Sequence, residues 1–149
     1  MFNRIYVPID NSDVSDKVLQ EAVKLVKSTN AKLRVAHVVN LEQVTFGIEM
    51  VGVAELKDAL LGIGQSLINK VKDQLASAGV EAEVKLIENF GFEMSSLVIE
   101  DAKEFDADLF ILGSHHLGSF SHFITGGIAE DLAKETDVPI LLITKHKHK

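Results

Sequence analysis

Three features of the sequence predict an α/β domain built on a mainly parallel, doubly wound five-stranded sheet with helices on both faces. Five short apolar runs, rich in β-branched residues, alternate with segments of helical period. The intervening segments are long enough for parallel crossovers, which need a helix-sized connection. The chain has 149 residues, which suits one domain over residues 1–149 and lets about 70% of the unfolded surface be buried.

The elements follow in order. "RIYVPI" (4–9) has the continuous apolar character of a buried parallel strand. "DNSDVS" is dense in helix N-cap residues, and Val14, Val18, Ala22, Val23 and Val26 then recur at helical spacing up to Asn30. "KLRVAHVV" (32–39) is a second strand, and residues 40–53 form an irregular connection. A helix over 54–78 presents Leu56, Leu60, Leu67, Val71 and Leu75 on one face. Gly62 and Gly64 weaken it by about 1 kcal/mol each relative to Ala, and Gly79 stops it.

"EAEVKLIE" (81–88) alternates, as a less buried strand does. After Gly91 a third helix turns Met94, Leu97, Val98, Ala102 and Phe105 inward, and "DLFIL" (108–112) is the fourth strand. A glycine- and histidine-rich stretch, "GSHHLGSFSHFITGGIAEDL" (113–132), runs into a helix carrying Ile128, Leu132 and Ala133. "ILLIT" (140–144) closes the pattern.

Composition narrows the function. Asp and Glu number 22 against 15 Lys and Arg, a net charge of −7, and an acidic surface repels both nucleic acid and anionic membrane. With no cysteine, disulfides, thiol catalysis and cysteine-ligated metals are out. No secretory h-region opens the sequence and no apolar run reaches membrane-spanning length, so a cytoplasmic protein is expected.

In an open parallel sheet, ligands bind beyond the carboxyl ends of the strands where strand order reverses. Two such ends carry chemistry here: Pro8-Ile9-Asp10 after the first strand and Leu112-Gly113 after the fourth. A glycine-rich turn that feeds a helix suits phosphate, because free amides and the helix N-terminus both attract anions. Each residue also has a plainer reading. Asp10 can be only a helix N-cap, and Gly126-Gly127 only a tight start to the last helix. A metal reading of His115, His116 and His122 is weak, since adjacent histidines do not present the i, i+4 helical pair. No G-x-S-x-G, H-E-x-x-H or complete P-loop motif is present, so no catalytic residue is nominated.

"YVPIDNS", "AHVV", "DADLFILGSH" and "VPILLI" together, in this order over nearly the whole chain, resemble the universal stress protein family. The resemblance implies strand order 3-2-1-4-5 in a Rossmann-like fold of the adenine nucleotide alpha hydrolase type, usually paired as a homodimer. It also implies ATP or AMP binding through G-x-x-G, a nine-residue spacer and G-[ST]. Gly113 and Gly126 match that pattern, while His116 stands at its second glycine and Gly127 at its Ser/Thr. Pro8 and Asp10 match the family's first-strand contacts, Val38 its second-strand backbone contact, and Ile9 and Leu112 flank them.

An imidazole at 116 crowds the phosphate path that glycine leaves open. Gly127 forgoes a hydroxyl hydrogen bond of about 0.5–1.5 kcal/mol. The expectation is an adenine-nucleotide module of stress response or signalling, with Mg accompanying the nucleotide. Two alternatives are a family member acting through protein contacts alone and a slow ATP-hydrolysing enzyme. The last strand with its lead-in (138–144) is apolar at four consecutive positions and is expected at a sheet edge, where it would form the homodimer contact.

Overall fold

The computed structural model describes residues 2–42, 44, 52–114 and 121–144, with residues 121–127 described by their backbone alone. The elements are β1 (Arg4–Ile9), α1 (Asp13–Thr29), β2 (Lys32–Asn40), α2 (Val53–Ser77), β3 (Glu83–Asn89), α3 (Met94–Phe105), β4 (Leu109–Ser114), α4 (Ser121–Glu135) and β5 (Ile140–Thr144). The sheet order is β3-β2-β1-β4-β5 and every pairing is parallel, as the resemblance implied. No helix among the described residues is long and apolar enough to cross a membrane.

The two-residue period of β1 explains the double winding. Ile5, Val7 and Ile9 point to one face and pack with Val14 and Val18 of α1 and Leu67, Val71 and Leu75 of α2. Tyr6 points to the other and packs with Val98, Ala102 and Phe105 of α3 and Leu132 of α4. Chain reversals sit where small or polar residues tolerate a left-handed backbone: Asn30 ends α1 at φ 60° and Asp106 ends α3 at φ 61°.

Four details depart from the pattern read in the sequence. Leu56 is 40% exposed and Met94 44% exposed, so neither belongs to its helix's core face, whereas Ile99 is buried in α3. Each of the two lies within the first turns of its helix, ahead of the stretch that meets the sheet. Gly64 is not a weakness of α2: a Cβ there would lie 2.5 Å from Val39 Cγ2 and 3.0 Å from Leu86 Cδ1, so the helix lies against the sheet through it. Finally, α4 begins at Ser121, five residues ahead of Gly126, so Gly126-Gly127 lie inside that helix rather than at its start.

One ionic cluster crosses the α3 face of the sheet. Asp101 of α3, 7% exposed, accepts from Tyr6 Oη at 2.7 Å, Arg34 Nη1 at 3.0 Å and Lys85 Nζ at 2.5 Å. Arg34 also reaches Glu83 and Glu104, each at 2.7 Å, and stacks 4.7 Å from the Phe105 ring centroid. Burial would raise the Asp101 pKa, but the hydrogen bonds from Lys85 and Tyr6 and the charges of Lys85 and Arg34 outweigh it and hold the carboxylate below its ordinary value. Burial and the same hydrogen bond push the Tyr6 phenol far up, so it stays a donor.

Candidate functional site

Strand order reverses between β1 and β4, and there the chain opens. The β1–β4 ladder pairs Ile5 with Leu109 and Tyr6 with Phe110, while the β1–β2 ladder continues to Ile9 opposite His37. Past Tyr6 the β1 and β4 ends part, and Pro8 has no N–H with which to rejoin them. A crevice of about 430 Å³ fills this fork, within the range of about 300–1,000 Å³ that small-molecule sites occupy.

Its walls come from six segments, the start of α1 among them through Ser12, Val14 and Ser15. Pro8, Ile9 and Asp10 end β1, Ala36, His37 and Val38 lie toward the end of β2, and Leu112 and Gly113 lie in β4. Glu93, Met94, Ser95 and Val98 bring in the start of α3, and Ile128 and Asp131 bring in α4. Of the sequence-nominated residues, Pro8, Ile9, Asp10, Val38, Leu112 and Gly113 therefore converge. His116 lies outside the described residues, as do His115 and the other residues of 115–120, and for Gly126 and Gly127 only the helical backbone is described.

Asp10 is not the N-cap residue of α1. The N-cap of α1 is Ser12, whose side chain makes no capping bond. Asp10 Oδ1 instead accepts from the Ser12 amide at 2.9 Å, Ser12 Oγ at 2.5 Å and Ser15 Oγ at 3.1 Å, which fixes the carboxylate at the mouth of the crevice. Gly113 has a packing reason of its own: a Cβ would meet Val14 Cγ1 at 2.7 Å and Val18 Cγ2 at 3.1 Å, so α1 abuts β4 here. His37 Nδ1 donates to the Ile9 carbonyl at 2.9 Å, which ties the β2 end to the β1 end.

Sequence reasoning missed the α3 contribution. Ser95, 2% exposed, lines the crevice, and its Oγ is the one buried side-chain N or O among the described residues without a hydrogen-bond partner. The signal available was positional: α3 follows β3 directly, so its N-terminus must lie at the carboxyl edge of the sheet where ligands bind. Among the described residues no three His, Asp or Glu side chains group closely enough to hold a metal ion.

A parallel sheet in this order with a crevice at its switch point defines a doubly wound α/β protein. The universal stress protein family model matches residues 1–144, and the chain belongs to that family. It is 26% identical over 151 residues to the universal stress protein YxiE of Bacillus subtilis, a match that spans 96% of this chain and 99% of that protein. A solved protein of the same family from Burkholderia pseudomallei superposes with a TM-score of 0.75 at 23% identity, covering 95% of both chains. Two further structural neighbours are nucleotide complexes. A universal stress protein in complex with cAMP has a TM-score of 0.69 at 18% identity over 97% of this chain and 98% of that one. The universal stress protein of Archaeoglobus fulgidus in complex with dAMP has 0.68 at 21% identity over 95% and 97%.

Proposed function

We propose that the protein binds an adenine nucleotide in the crevice between the β1 and β4 ends and serves as a cytoplasmic nucleotide-responsive module in a stress response. The observation that carries this reading is the crevice itself, where apolar walls from Ala36, Val38, Val98 and Leu112 face an anchored Asp10 carboxylate. Such walls suit a flat base, and a carboxylate suits ribose hydroxyls as donors. Family relatives that hold cAMP and dAMP support it.

The charge of the site refines the ligand. Asp10, Glu93 and Asp131 line it, and no Lys or Arg does among the described residues. The stretch 113–132 contains neither Lys nor Arg. Two unit charges about 8 Å apart in water repel by about 0.5 kcal/mol. Three carboxylates against the two additional charges of a triphosphate therefore sum to about 3 kcal/mol before salt screening. Calorimetric titration should show AMP and cAMP binding at least about tenfold more tightly than metal-free ATP. Mg should recover much of the ATP affinity by neutralising phosphate charge. Failure of all three nucleotides to bind would leave the reading of a family member that works through protein contacts.

A second proposal concerns self-association. β5 pairs only with β4 among the described residues and stands at the sheet edge. Leu141 and Leu142 are both exposed on it, Leu142 by 48%. An apolar edge strand invites pairing, and a two-fold partner adding the same strand, residues 138–144, would satisfy its free backbone groups in a closed contact. Light scattering at micromolar concentration should give the mass of two chains, and Leu142→Lys should shift it toward one. A folded protein with the mass of a single chain would end this proposal.

A further inference from the structure

We propose that the loop between β3 and α3 is a docking surface for a basic segment of another protein, one in which apolar side chains are interleaved with lysine or arginine. Phe90, Phe92 and Met94 are exposed by 45%, 69% and 44%. The chain from residue 90 to residue 94 reaches at most about 14 Å, so the three share one stretch of surface. Single exposed apolar side chains are ordinary, but a group of them marks a contact, and phenylalanine and methionine are enriched in interface cores. Neither phenylalanine lines the crevice, so the proposal is independent of the nucleotide reading.

The loop is built to hold these side chains out. Asn89 is buried, and its Oδ1 accepts from the Gly91 amide at 3.0 Å and the Phe92 amide at 2.8 Å, while its Nδ2 donates to the Phe92 carbonyl at 2.9 Å. The Asn89 backbone carbonyl accepts from the Leu41 amide at 2.6 Å, which ties the turn to the residue after β2. Gly91, at φ 121°, takes the backbone conformation that favours glycine. A turn fixed in this way loses little freedom when a partner binds, which suits its phenylalanines as anchors.

Charge selects the occupant. Glu88 precedes the loop, Glu93 lies within it, and Glu42 Cγ is 3.9 Å from where a Cβ on Gly91 would stand; all three residues are exposed. Lys57 Nζ stands 5.9 Å from the Phe90 ring centroid, so that ring already takes a cation. Carboxylates beside aromatic rings suit lysine and arginine on both counts. A second copy of the chain would set the same carboxylates against one another across a two-fold axis. Anionic lipid would be repelled as well.

Fluorescence anisotropy with a synthetic amphipathic helix of leucine and lysine tests the proposal. The unmodified protein should bind this peptide, and Phe90→Ser with Phe92→Ser should weaken binding at least about tenfold with the net charge unchanged. The same helix with glutamate in place of lysine should bind at least about tenfold more weakly. Both side chains are exposed, so the double variant should melt where the unmodified protein does. Should the pair lower the melting temperature, Phe92→Ser alone carries the comparison. No binding by the unmodified protein would overturn the proposal, as would equal affinity in the variant or equal affinity for the two helices. The chain has no cysteine, so Phe92→Cys gives a single thiol whose alkylation should run close to the rate in the unfolded chain. Strong protection of that thiol would show that the protein covers the patch itself and overturn the proposal. A mass of two chains by light scattering that falls to one in the phenylalanine variant would assign the patch to a second copy, with the same consequence.

Discussion

Asp101→Ala is expected to cost about 3 kcal/mol of folding stability, near the lower end of what breaking a buried ion pair costs. The carboxylate takes hydrogen bonds from Tyr6, Arg34 and Lys85, and removing it leaves the fully buried Tyr6 hydroxyl without its acceptor. Arg34 retains Glu83 and Glu104, which keeps the loss from being larger. Urea denaturation at neutral pH measures it, and a loss below about 1 kcal/mol would show that the cluster is no more than a surface network. The same group sets an acid limb. Because its folded pKa lies below the unfolded one, the stability it contributes is fully present above the unfolded value, about 3.9, and is lost as pH falls through the folded value. Asp101→Asn should flatten the decline in stability below about pH 4, and a variant whose acid limb matches that of the unmodified protein would place the effect elsewhere.

The second large effect pits two glycines of one helix against each other. Gly64→Ala should destabilise by about 1–3 kcal/mol, since the new methyl meets Val39 at 2.5 Å. Val39 is β-branched and buried, so it has little freedom to yield. Gly62→Ala, two residues away, has nothing within 4 Å of its Cβ and should stabilise by up to about 1 kcal/mol through helix propensity. Opposite signs in parallel denaturation curves confirm the close approach of α2 to β2 and β3. Equal signs would mean that α2 sits farther from the sheet.

The strands and helices were legible because hydrophobic period and N-cap chemistry are local. "RIYVPI", "KLRVAHVV" and "ILLIT" carry their strand character in themselves, and the structure keeps each within a residue or so. What local reading could not supply is the distance between elements. Gly64 looked like a defect of α2 until Val39 and Leu86 stood beside it, and Met94 looked inward although the first turn of α3 overhangs the crevice. Half of the site was legible at the β1 and β4 ends, where Pro8, Asp10 and Gly113 are chemically distinctive. Ser95 was not, because a serine near a helix start is ordinary in sequence and becomes unusual only when its hydroxyl proves buried and unmet.

The crevice draws its walls from residues 8 to 131, so it exists only when β1, β2 and β4 are assembled with α1, α3 and α4 around them. Any occupant binds the folded chain and not the unfolded one, and at a hundred times its dissociation constant it adds about 2.7 kcal/mol to the folding equilibrium. Under the proposed reading, the abundance of this protein is itself a gauge of its nucleotide. When the ligand is plentiful the chain is shielded from proteolysis, and when it is scarce more of the chain opens and is cleared. Such a gauge needs no catalytic step and no conformational switch, only a pocket built from segments far apart in the chain.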